Sequence, residues 1–253
     1  MNVIKLEIEK CIKERKYIAP LISIVFFIAI SAYFASHDPR GRDYFTYTYY
    51  VFILNCRVIF PIIVAIFFTN VLVKEFEKKT ARIHFLKPYG REKALLYKYI
   101  AGSVIISIIF ILTFFVYELI LLIVFKIKGL EIFNIYEFSF KEFYLRAYST
   151  LLLQIVFLIT FGAMVFIIGI ITKKGIITIL ISLLILISEQ RGLFLDIIPK
   201  RILFLSTAAK YNYMLQLDKM VYISYLYDLM LNISTLLGFI LISFLLIRRI
   251  ELD

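Results

Sequence analysis

Apolar residues gather in six runs that carry almost no charge, at 17–36, 50–73, 99–125, 147–172, 175–188 and 229–247, and polar residues fill the segments between. A hydrocarbon core about 30 Å thick is crossed by about 20 mostly apolar residues in a helix. Four runs reach that length, 229–247 falls just short, and 175–188 is clearly short. The pattern predicts an all-α integral membrane protein with six transmembrane helices in one domain spanning 1–253. Outer-membrane barrel strands would instead alternate apolar and polar residues over about 10 positions.

Residues 3–16 place Ile4, Ile8, Cys11 and Ile12 on one helical face and Lys5, Glu9, Lys10, Lys13 and Lys16 mostly on the other. This predicts an N-terminal in-plane amphipathic helix within 1–17, suited to the headgroup layer. Pro20 stands where the first span begins, a position that tolerates proline and lets the chain bend from in-plane to spanning. A simple anchoring role fits the same residues. The run at 17–36 is long for a signal-peptide core, and 32–36 is a poor cleavage site.

Composition supports the membrane reading. Hydrophobic residues make up 62% of the chain, well above the roughly 45–50% of a soluble domain. Trp is absent, and 18 Tyr can supply the interfacial aromatic belt. Cys11 precedes the first run and Cys56 lies inside the second, so they imply no disulfide framework. The net charge of +11 clusters beside the runs, which points to anionic lipid rather than nucleic acid.

Lys and Arg favour short cytoplasmic loops. With six spans and a cytoplasmic N-terminus, the inside segments hold 17 Lys/Arg in 50 residues and the outside segments 11 in 71. Both termini are therefore expected in the cytoplasm of a multi-pass protein. Omitting 175–188 as a span would put Arg248 and Arg249 outside.

The segment 74–98 is the most informative. Phe76, Thr80 and Ile83 follow one helical stripe, Pro88 and Gly90 break the helix, and a second helix starts near Arg91 and enters the third run. A cationic helix is thus expected at the inner face, tied to the second and third spans. A positive-inside loop lying on anionic lipid is the alternative. The register Glu75, Thr80, Pro88, Arg91 and Lys98 resembles the loop between spans two and three of ATP-binding-cassette (ABC) type-2 transporter permeases. Lys79, Gly90 and Tyr97 stand where that family commonly has Gly, Ser and Gly.

The resemblance implies a cytoplasmic coupling helix that docks onto an ATPase subunit, with Glu75, Thr80, Leu86, Pro88, Arg91 and Lys98 as ATPase-coupling residues. It further implies two ATPase subunits carrying ATP and Mg, a second permease subunit (the same chain or a paralogue), a bacterial-type plasma membrane location, and peptide-toxin or antimicrobial export. No cofactor is expected in this chain.

The short run at 175–188 is followed by an apolar stretch, 193–206, broken at Pro199. We expect the segment 189–224 to form an extracellular helical hairpin dipping into the outer leaflet before the last span, with its break near Pro199. ABC type-2 permeases are similar here. An amphipathic helix on the outer surface is the alternative.

Arg57 and Glu118 are charges inside otherwise apolar runs, and a charge at mid-bilayer costs at least about 2.5–3.5 kcal/mol unless it finds a partner or cavity. Arg57 lies 17 residues outward from Lys74 and Glu118 lies 20 outward from Lys98, heights that differ by about 5 Å. An intramembrane ion pair follows as an expectation, acting as a structural clip or as a cargo contact.

Enzymatic signatures are missing. The sequence contains no P-loop, no His-Glu-x-x-His, no Cys/His cluster with metal spacing and no Gly-x-Ser-x-Gly elbow. No catalytic or metal-binding residues are expected. His37 and His84 fall on opposite sides of the expected membrane. The expected function is the permease subunit of an ATP-driven exporter of amphipathic or lipophilic cargo. The alternatives are an ATP-independent channel or secondary transporter, or a non-transporting immunity or scaffold subunit.

Overall fold

The computed structural model describes residues 3–13, 22, 58–77, 90–125, 140–190 and 221–249. Among them are six helices: α1 (Val3–Lys13), α2 (Ile59–Glu77), α3 (Gly90–Phe125), α4 (Phe140–Thr172), α5 (Gly175–Gln190) and α6 (Val221–Arg249). No strand occurs among the described residues. Helices α2 to α6 fall on five of the six apolar runs. The run 17–36 lies outside the described residues.

Three of the helices contain stretches long and apolar enough to cross a bilayer: Glu92–Val116, Leu151–Thr172 and Tyr225–Arg248. Within the described residues, α2 and α5 carry shorter apolar stretches, Ile59–Val73 and Gly175–Ser188. Helix α2 continues without a break past the end of its apolar run to Glu77. Helix α6 begins eight residues before its run, at Val221.

Burial in α5 and α6 is inverted relative to a water-soluble helix. In α6, Asp228, Asn232 and Ser243 are buried, while Leu226, Met230, Leu237, Leu241 and Leu245 are exposed. In α5, Thr178 and Ser182 are fully buried, while Ile176, Leu180, Leu184 and Ile187 are exposed. Polar groups turned inward and branched aliphatics turned outward are what a lipid solvent selects.

The ring contacts set the helix directions. Phe60 meets Phe110 and Phe68 stacks on Tyr99, so α2 and α3 run antiparallel. Tyr99 meets Phe166 and Phe114 meets Tyr148, so α3 and α4 also run antiparallel. Helix α4 packs most extensively on α6 and next on α2, and α2 packs on α5. The end of α2, the start of α3, the α4–α5 turn and the end of α6 therefore share one end of the bundle.

Phe68 is the centre of the packing. It is fully buried, stacks on Tyr99 with ring centroids 5.6 Å apart, and lies against Gly102 of α3 and Gly162 of α4. A Cβ at Gly102 would sit 2.9 Å from the ring, and one at Gly162 would collide with it. Helix association in lipid depends on such close packing of small residues. The Tyr99 hydroxyl donates to the Ile159 carbonyl at 2.8 Å, pinning α3 to α4.

Helix α1 packs against α3. It buries Glu7 and Cys11 and leaves Leu6 and Ile12 exposed. The buried stripe is thus rotated from the predicted Ile4–Ile8–Cys11–Ile12 face toward Glu7. The sequence pattern anticipates a planar apolar boundary, whereas α1 rests on a neighbouring helix, whose surface sets its own preferred face.

Candidate functional site

Two regions carry the polar chemistry of the described residues. The first is the end of the bundle where α2 stops and α3 starts. Glu75 lies in the last turn of α2 and Arg91 in the first turn of α3, so two of the sequence-predicted residues come to neighbouring ends of packed helices. Lys98 lies one and a half turns after the Glu92–Lys93 step of α3 and is buried to 2% exposure. At that depth it would influence a docked protein only through its neighbours. Thr80, Leu86 and Pro88 lie outside the described residues.

Glu92 ties this end to α6. Arg248 donates from Nε to Glu92 Oε1 at 2.5 Å and from Nη2 to Oε2 at 3.3 Å. The two hydrogen bonds join the first turn of α3 to the last turn of α6.

The α4–α5 turn stands at the same end. Lys173 takes a left-handed backbone conformation, φ 53°, which costs a non-glycine residue roughly 1–2 kcal/mol. Its N–H donates to the Gly169 carbonyl at 3.0 Å. The Lys174 carbonyl accepts from the Thr178 N–H at 3.0 Å and the Thr178 hydroxyl at 2.9 Å. Thr172 and Thr178 share a 2.7 Å hydroxyl contact across the turn. These bonds hold a two-residue reversal between helices that would otherwise have unsatisfied ends.

The second region is the polar seam between α4 and α6. Gln154, Thr160, Asp228 and Asn232 are all buried to 3% exposure or less. The Thr160 hydroxyl donates to its own helix at Val156 O (2.9 Å) and across to Asn232 O (3.2 Å). The Asn232 amide donates to Asp228 O at 2.8 Å. An ionisable residue buried in a spanning helix is expensive and marks a structural or functional role.

Sequence reasoning missed Asp228 and Asn232. The last apolar run starts at 229, just past the aspartate, so only Arg57 and Glu118 stand as charges within runs. A helical projection of 221–249 would have found them: Asp228, Asn232 and Ser243 share a face opposite Met230, Leu237 and Leu241. Glu118 lies on α3. Arg57 lies outside the described residues, as do Pro199 and most of the expected hairpin at 189–224.

No curated protein matches the chain. A family profile described as "Protein of unknown function (DUF2705)" matches residues 17–252. That match begins after α1 and takes in α2 to α6 entire. By this coverage, the chain belongs to the DUF2705 family.

Proposed function

We propose that this chain is the membrane-spanning subunit of an ATP-driven exporter, with six spans, powered by a separate ATPase that docks on the segment 74–98. Both termini and the α4–α5 turn face the cytoplasm in this reading. The cargo is amphipathic or lipophilic, because the spans offer few countercharges, and the resemblance to ABC type-2 permeases favours the peptide-toxin or antimicrobial class. A second permease subunit completes the pathway, and the hairpin at 189–224 covers its outer mouth.

The observation that carries the reading is the continuity of α3. It runs unbroken from Gly90 to Phe125, about 54 Å at 1.5 Å per residue, against about 30 Å of hydrocarbon. A force applied where α2 ends and α3 begins is delivered along a single rod. The Phe68–Tyr99 stack makes α2 move with α3, and the Glu92–Arg248 clamp extends the motion to α6. The test is purification of the tagged full chain in mild detergent. An ATPase should accompany it and be lost on Glu75→Lys or Arg91→Glu. Purification of the intact chain with no ATPase would overturn the proposal.

Asp228 supports a second reading, ion-coupled secondary transport, because buried carboxylates in spans often serve as ion or proton sites. Solute movement by the purified chain alone, abolished by Asp228→Asn, would favour it.

A further inference from the structure

The outward face of α5 differs from that of α6 in length. Its exposed apolar side chains, Ile176, Leu180, Leu184 and Ile187, span eleven residue steps, about 16 Å. One leaflet of a bilayer core about 30 Å thick is about 15 Å deep. The exposed stripe of α6, from Leu226 to Leu245, covers nineteen steps, about 28 Å, the depth of both leaflets.

The α5 stripe ends at the α4–α5 turn, where Lys173 and Lys174 are exposed. They are the only charged residues between 147 and 188. Ile171 and Ile176 flank them and are among the most exposed apolar side chains of the described residues, at 62% and 77%. Two exposed cations therefore crown an apolar track one leaflet deep. Apolar length and charge both match a phospholipid with a negatively charged headgroup. A second copy of this chain would bring another pair of like charges to the same place.

We propose that the outward face of α5, capped by Lys173 and Lys174, seats an anionic phospholipid of the adjacent leaflet, with its phosphate at the two lysines and its acyl chains along Ile176, Leu180, Leu184 and Ile187. The proposal is independent of the exporter reading. It also gives a use for lysine at a left-handed position, where glycine would be less strained.

The chain has no tryptophan, so Leu184→Trp creates a single reporter on the track. The full-length variant is placed in phosphatidylcholine vesicles containing a minority of phosphatidylglycerol, with bromine on the acyl chains of one lipid or the other. Brominated phosphatidylglycerol should quench the reporter about tenfold more than its share of the bilayer, given the attraction of two lysines for an anionic headgroup. Adding Lys173→Gly and Lys174→Gln should reduce that excess to about none, and adding Lys173→Arg and Lys174→Arg should retain it. The glycine relaxes the turn, so loss of quenching without loss of thermal stability separates lipid binding from misfolding. Quenching by each lipid only in proportion to its share of the bilayer in the parent, an excess that survives removal of the lysines, or protection from both lipids by a second copy would each overturn the proposal.

Discussion

Glu92 and Arg248 are 156 residues apart in the chain and form a two-point clamp between the first turn of α3 and the last turn of α6. Both side chains reach solvent, Glu92 with a relative exposure of 40% and Arg248 of 65%. The pair therefore contributes more to register than to stability. Glu92→Arg or Arg248→Glu alone should lower the thermal midpoint slightly, and the double charge swap should restore it. The difference should vanish at high salt, because exposed charges are screened over a few ångströms at about 1 M. A double-mutant cycle followed by thermal unfolding in detergent checks this. Additive losses would mean that the clamp does not form.

The shared bundle end makes a topological prediction. Cysteines at Lys93, Lys173 and Arg249, introduced into a variant lacking Cys11 and Cys56, should all react with an impermeant maleimide from the same side of the membrane. Cysteine at Tyr148, near the opposite end of α4, should react from the other side or be shielded. Labelling of positions 93 and 173 from opposite sides would contradict the helix directions set by Tyr99–Phe166 and Phe114–Tyr148.

Gly162 and Gly238 should respond oppositely to alanine. A Cβ at Gly162 meets the fully buried ring of Phe68, whereas one at Gly238 meets nothing within 4 Å. Gly162→Ala should cost about 1–3 kcal/mol by overpacking. Gly238→Ala should be neutral or should stabilise by up to about 1 kcal/mol, the helix-propensity difference. Thermal unfolding of both variants in the same detergent provides the comparison.

The α4–α6 seam is testable through the cross-helix hydroxyl of Thr160. Thr160→Val keeps the shape and removes the bond to Asn232 O. Interhelical bonds of this kind contribute about 0.6 kcal/mol on average and at most about 1.7. The variant should lose stability within that range, and a larger loss would show that Thr160 supports the rest of the seam.

Much of the architecture was legible because lipid imposes a simple rule: apolar runs of sufficient length become helices. Helix α3 takes in Gly90 and Arg91, and the expected break at Pro88 lies outside the described residues. The short fifth run appears as the short helix α5. The run rule failed at Asp228, because a search for uncharged residues stops at a charge that the protein hides between helices. The α1 face shifted toward Glu7 because its support is a helix with its own shape. Which glycine receives Phe68, and that Glu92 meets Arg248, depend on contacts between distant segments that no local pattern encodes. The site residues divide similarly: the common bundle end of Glu75 and Arg91 follows from two adjacent antiparallel spans, whereas the burial of Lys98 required the packed neighbours.

The central proposal is that force from a nucleotide-driven partner enters where α2 ends and α3 begins. A photo-crosslinking residue placed at position 75 or 91 of the full chain in living cells tests this directly. The account predicts a crosslink to a polypeptide that binds ATP, formed at both positions and absent when the crosslinker is moved to exposed Leu241 of α6. Crosslinks to lipid alone at positions 75 and 91, with the intact protein still transporting its solute, would contradict it.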